Sequence, residues 1–285
     1  TQDAVTDEQL YRIADAAAGD ARLAIGILLT AKQRLEAGGW RVVHGIVDSI
    51  WVTPDPDTDA EDRTPLETLA AEITETVGIR LEYEAAYEWV AFVPQRHSDT
   101  GALTKYFGKL TDEAGVKLRG IEARQRSTSS FVETIQRACL DRFAATRSPE
   151  AVIDRLHQAI TRLHTGGVAP DQLVEEVCVS KPLDAYTHTT RTVAALERAR
   201  AQDIAPHPGQ RIRYIVVDDA KSTRDRVAFV HEHPESYDAE YYETQLIRAV
   251  ESLLSPLNWD RTDIQCALND YETPGLATFV ESQAE

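Results

Sequence analysis

The sequence predicts an α+β protein, because helical stripes alternate with short apolar strands in its first part and the period changes to helix beyond residue 130. Residues 7–37 carry Leu10, Ile13, Ala14 and Ala17 on one stripe and, after a break at Gly19, Leu23, Ile27 and Leu28. Gly38 and Gly39 supply the stop. "WRVVHGIV" and "SIWVT" are two apolar strands meeting tightly near Asp48 and Ser49, which predicts a hairpin. "PDPDTDAEDRTP" is an acidic, proline-punctuated loop. From Pro65 a helix turns Leu66, Leu69, Ile73 and Val77 inward and stops at Gly78, and "LEYEAAYEWVAFVP" adds strand. Further on, Val152, Leu156, Ala159, Ile160 and Leu163 form a stripe opened by Ser148 and Pro149 and closed by Gly166 and Gly167. "TRTVAALERARAQ" predicts another helix, "RIRYIVVD" a strand, and "YDAEYYETQLIRAVESLL" a long amphipathic helix. The expected division is a helical segment of uncertain origin (1–30), an α+β layer (31–130) and a mostly helical domain (131–285).

The length of 285 residues suits one large domain or two ordinary ones, and 42% hydrophobic residues suit a globular core. No apolar run approaches a membrane span, and residues 1–30 lack the order of a secretory signal, so a soluble cytoplasmic protein without a membrane partner is expected. Cys139, Cys178 and Cys266 are far apart, form no CxxC pair and are odd in number, as buried small apolar residues would be. Eight histidines show no paired ligand spacing, and no nucleophile elbow is present. Methionine is absent, even at position 1, so the chain begins after processing or belongs to something longer.

A net charge of −17 argues against a nucleic-acid partner, because phosphate binding relies on Lys and Arg displacing counterions. The composition weakens that argument. Only six of the 30 basic residues are lysine, and the acids cover apparent helix surfaces, which resembles the proteins of salt-loving archaea. At molar salt, screening shrinks to roughly 3 Å, so clustering of positive residues says more than net charge. The densest cluster is Lys117, Arg119, Arg124 and Arg126 in "KLRGIEARQRS".

The acid at the hairpin tip has two chemical readings. Asp48 is a turn residue, favoured for local hydrogen bonds, or a metal ligand held on rigid strands. "HGIVDSIWV" resembles motif C of family B DNA polymerases, commonly Tyr-Gly-Asp-Thr-Asp-Ser on a palm hairpin. Gly45, Asp48 and Ser49 match; Ile46 stands where the family usually has its first aspartate, a departure that resembles a divergent archaeal branch. "GALTKYFGKL" is similar to the family's Lys-Lys-Arg-Tyr segment, with Lys105 and Tyr106 matching its end and Leu103 and Thr104 replacing earlier basic residues. "KLRGIEARQRS" is similar to its Gly-x-Glu-x-x-Arg-Arg segment through Gly120, Glu122, Arg124 and Arg126. Weaker echoes of the thumb include Lys181, Tyr186 and Tyr241.

The resemblance implies a C-terminal palm, with an antiparallel hairpin and packed helix, followed by a mostly helical thumb. It implies templated transfer of a deoxynucleotide to a primer during DNA replication, with Asp48 the catalytic carboxylate that holds Mg²⁺. It also implies primer-template DNA held by Lys105, Tyr106, Arg119, Arg124, Arg126, Lys181 and Tyr186. The family's motif A aspartate, motif B helix, exonuclease and fingers have no counterpart before His44. An incomplete Mg²⁺ site is therefore expected, unless another polypeptide supplies motif A. "IADAAAGDARLAIGIL" resembles the lid of AAA+ origin-binding initiators, with Arg22 at the nucleotide-sensing position, yet no P-loop is present; an amphipathic helix covering exposed palm is the other reading. Three functions stay open: a part of the polymerase, a catalytically inactive DNA-binding accessory, or a remnant without a role.

Overall fold

A computed structural model describes residues 20–46, 49–95, 98–112 and 115–272. The chain divides into two compact units, residues 1–86 and 87–285. This boundary follows contacts, whereas the expected one at 130 follows a change of hydrophobic period.

In the first unit, helix α1 (Asp20–Ala37) ends where the Gly38 N–H donates to the Arg34 carbonyl, and Gly39 follows at φ 85°. Strands β1 (Trp40–Ile46) and β2 (Ser49–Pro54) pair antiparallel, with Ile46 opposite Ser49 and Val42 opposite Val52. The expected hairpin is present. Asp48 itself lies outside the described residues, as do His97 and the stripe from Leu10 to Ala17, and the Arg22 side chain is likewise not described. Helix α2 (Leu66–Val77) stops at Gly78, which takes φ 72° and donates its N–H to the Thr74 carbonyl. That is the left-handed cap a glycine accepts without a Cβ penalty.

Ala31 and Leu35 of α1 and Leu69 and Ile73 of α2 form a small core, against which Trp40, Val42, Ile50 and Val52 of the hairpin pack. The hairpin thus rests on the helix that follows it. One expected position is corrected: Leu23 is 65% exposed, because the buried stripe of α1 lies in its C-terminal half. The acidic loop is held by Arg63, which donates to the Asp55 and Thr58 carbonyls, and by the Trp40 indole N–H donating to the Thr64 carbonyl. Residues 81–86 are not strand, although the sequence suggested it.

The second unit begins with an antiparallel meander of β3 (Tyr87–Gln95), β4 (Ser98–Leu110) and β5 (Val116–Arg119). Helices α3 (Ser130–Thr146) and α4 (Pro149–His164) follow. Ser129 and Ser148 cap them by accepting from the Val132 and Ala151 N–H groups, and Pro149 occupies the first turn of α4. The expected stripe of α4 is buried at Val152, Leu156, Ala159 and Leu163. The part expected to be helical also contains an antiparallel sheet of β6 (Glu175–Cys178), β7 (Arg211–Val216) and β8 (Val227–Ala228). Helices α5 (Arg191–Arg200), α6 (Ala239–Leu254) and α7 (Arg261–Glu272) complete the unit.

A single core joins these pieces. Phe107 of β4 is fully buried and meets Trp89 and Phe143 edge-on at 6.1 and 6.5 Å, while the Arg147 guanidinium lies 4.3 Å over the Trp89 ring. The sheet β3-β4-β5 therefore shares its core with α3 to α7. Gln136 of α3 bridges the two ends: it accepts from the Ala123 N–H and donates to the Glu122 carboxylate and the Ala249 carbonyl. Cys139 lies in this core, where burial pushes its thiol up to about 12; Cys178 and Cys266 are exposed, contrary to the expectation of burial.

Candidate nucleic-acid interface

The basic residues singled out in the sequence fall into two loci of the second unit. In the first, Arg119 of β5 stands opposite Tyr106 of β4. Gly120 follows at φ 70°, and a Cβ there would come within 2.1 Å of the Thr104 carbonyl oxygen and 3.1 Å of the Lys105 side chain. Only glycine lets the chain turn this close to β4. The turn delivers Glu122, Ala123 and Arg124 as a 3₁₀ helix, with Arg124 and Arg126 exposed. Lys105 is half-buried, and Tyr106 is only 4% exposed, its ring 5.7 Å from Phe92. Tyr106 therefore packs the sheet. Arg119, Arg124 and Arg126 offer the accessible charge.

The second locus is the loop of Lys181 and Tyr186. The Lys181 ammonium lies 4.8 Å over the Tyr186 ring, and the Tyr186 and Ser180 hydroxyls are 3.2 Å apart. Stacking shields one face of the ring and holds the ammonium near the surface.

A cleft of about 460 Å³ lies beside the first locus. One wall is residues 125–129, with Gln125, Ser127 and Thr128; the other is residues 189–192, with Thr189, Thr190 and Arg191, and Arg226 and Arg248 add positive charge. Its floor contains Glu175, Tyr214 and Tyr241. Thr190 caps α5 by accepting from the Val193 N–H, so the helix starts at the cleft. Arg191 and Arg226 share the Asp219 carboxylate, at 3.1 and 2.7 Å. Arg248 is 3.8 Å from the buried Glu122, so it is held loosely and stays half exposed.

Sequence reasoning missed this cleft. Arg191, Arg226 and Glu175 are remote from one another along the chain, and each looks ordinary alone. One signal was available: Glu175 interrupts the apolar run "LVEEVCV", an odd place for an acid. Among the described residues, no group of three or more His, Cys, Asp and Glu side chains is placed to hold a metal ion. No helix among them is long and apolar enough to cross a membrane.

Guanidinium groups beside a row of hydroxyls and helix-start N–H groups make a surface suited to an anionic, extended ligand such as a sugar-phosphate strand. The model of DNA polymerase family B matches residues 5–257, and the chain belongs to that family. Similar curated proteins include the DNA polymerases of Thermococcus kodakarensis, 26% identical over 245 residues (84% of this chain, 14% of that protein), and Pyrococcus horikoshii, 27% identical over 241 residues (82% and 19%). The fold is also similar to the family B DNA polymerase of Pyrobaculum calidifontis, with a TM-score of 0.55 and 21% identity, covering 80% of this chain and 28% of that one. The chain spans less than a third of the length of these relatives.

Proposed function

We propose that this chain acts as the palm-hairpin and thumb part of a DNA polymerase, gripping primer-template DNA through its second unit and presenting Asp48 as one metal-holding carboxylate. The observation that carries this is the exposed Arg119, Arg124 and Arg126, next in sequence to a cleft lined by Arg191, Arg226, Arg248 and a row of hydroxyls, with Glu122 and Glu175 among them. Family membership supports the same reading. The overall acidity does not oppose it, because the contacts depend on the local charge of one face. Lys181, held over Tyr186, supplies a second phosphate-binding locus.

Mg²⁺, when bound, stabilises developing charge on phosphate oxygens, and nucleotidyl transfer uses two such ions. Within these 285 residues Asp48 is the single matching carboxylate of motif C, since Ile46 stands at the position of its partner. The proposed chain therefore binds DNA and extends a primer only when another carboxylate reaches Asp48. A deoxynucleotide is the substrate of that completed site.

The test measures binding of a labelled primer-template across a series of KCl concentrations. Arg124→Ala with Arg126→Ala should weaken all sequences alike and lower the salt slope by about two, since each lost phosphate contact removes about 0.9. An unchanged slope overturns the assignment. In a primer-extension assay the chain alone should be inactive with Mg²⁺ or Mn²⁺. Extension that disappears in Asp48→Asn would show a complete site and refute the single-carboxylate reading.

A further inference from the structure

The cleft floor holds a carboxyl that the fold alone does not call for. Glu175 is 8% exposed, in a strand between the buried Leu173 and the half-buried Val177. An apolar residue of similar volume there would avoid the cost of removing a carboxylate from water. Instead the Tyr241 hydroxyl donates to Glu175 Oε1 at 2.5 Å, and Tyr214 also bonds the carboxyl. The Tyr241 ring in turn lies beneath Arg191, whose guanidinium carbon is 4.5 Å from the ring centre. Arg191 Nη1 reaches both oxygens of Asp219, at 3.1 and 3.3 Å. Asp219 is itself fixed, because its N–H donates to Asp238 at 2.6 Å and Asp238 caps α6 by accepting from the Tyr241 N–H. The chain of contacts closes on itself.

We propose that Glu175 is a positioning residue of the cleft: through the Tyr241 ring it sets the pose in which Arg191 meets a phosphate of the nucleic-acid backbone. This rests on the reading that the cleft takes a sugar-phosphate strand. An arginine side chain loses much rotamer freedom on binding, and a ring below it plus a carboxylate beside it remove that freedom beforehand. The guanidinium keeps a free edge, since its side chain is 33% exposed at the Asp219 pair. Glu175 never touches the strand; it acts through Tyr241.

The experiment uses the full chain, a labelled primer-template and a KCl series, with a thermal melt of every variant. Arg191→Ala should lower the salt slope by about 0.9, one phosphate contact. Glu175→Leu should do the same and should add nothing in the Arg191→Ala background, while its melting point reports the separate cost of leaving the Tyr214 and Tyr241 hydroxyls without this acceptor. Glu175→Gln, which keeps the size and an acceptor for Tyr241, should restore the slope. Tyr241→Phe keeps the ring but frees it from Glu175, so it carries the test if Glu175→Leu does not fold; its slope should fall toward that of Arg191→Ala. Wild-type slopes in both Glu175→Leu and Tyr241→Phe, or additive losses with Arg191→Ala, overturn the proposal. If the slope falls in the Arg124 and Arg126 variant but in none of the cleft variants, this inference fails and the DNA-binding reading stands. A wild-type chain with no salt-dependent binding overturns both.

Discussion

The first unit rests on a core of Ala31, Leu35, Leu69 and Ile73 with a half-exposed rim, whereas the second unit's core is continuous from Val93 to Leu268. In the first, helix, hairpin and helix follow one another directly, and each element packs on its neighbour in sequence. In the second, Gln136 bonds the Ala249 carbonyl, Tyr242 bonds the Leu173 carbonyl and the Val216 N–H, and Tyr241 bonds Glu175. The difference teaches where rigidity comes from. A local core needs only the right period, while the cleft needs side chains from five or more elements to converge.

The largest expected effect tests the continuity of the second core. Phe107→Ala should cost about 3–5 kcal/mol, because the cavity would strip partners from Trp89 and Phe143 together. Leu35→Ala should fall toward the lower end of about 2–5 kcal/mol, because the half-exposed rim of the first core can close in. Urea denaturation with hydrogen exchange resolves the two. Equal effects, or Phe107→Ala exposing only β3 to β5, would break the comparison.

Gly120→Ala comes next. A left-handed conformation costs an alanine roughly 1–2 kcal/mol, and the clash with the Thr104 carbonyl oxygen adds to it, because backbone cannot swing aside. Loss of β5 amide protection is the expected signature; protection unchanged from the parent would mean the turn is not built on that contact.

The pH dependence of Glu175→Gln sharpens the comparison within the second unit. Burial holds the Glu175 carboxyl above its ordinary value of 4.5, against the opposing pull of Tyr241 and Arg191. A carboxyl whose folded value is raised binds its proton more tightly when folded, so its favourable contribution is complete below 4.5 and is lost as pH rises toward the folded value. The melting-point advantage of Glu175→Gln over the parent should therefore grow as pH rises above 4.5 and then level off. A constant difference across that window would mean the carboxyl does not titrate with folding.

The smallest effect is at the surface of the meander, where Lys109 and Glu88 pair at 2.8 Å with both side chains more than a third exposed. Glu88→Gln should change stability by less than about 1 kcal/mol, less still in high salt. A larger loss in a denaturation curve would make the exposed pair part of the core it borders.

Much of the local structure was legible because it depends on residues close in sequence. The stop of α2 at Gly78, the opening of α4 at Ser148 and Pro149, and the pairing of β1 and β2 in a hairpin all follow from period and turn chemistry. The order of the polymerase-like motifs also identified the family, since short motifs in sequence order survive at low identity. What the sequence could not show is which distant groups share a space. Tyr106 is matched by resemblance to a residue that holds DNA, and it is buried in the sheet; Cys178 and Cys266 read as buried and are exposed. The strand of Glu175 looks like a broken apolar run until Tyr214 and Tyr241 are seen to meet its carboxyl. By itself, then, the sequence determined many of the elements, the stop of α2, the opening of α4 and the family, because those are set by backbone preference, local periodicity and the order of short motifs. Only the tertiary structure decided the cleft and the pairing of Arg191 and Arg226 on one Asp219, because burial and charge compensation are properties of neighbours in space, drawn here from the segment before α3 and from β6, α5, β7 and α6.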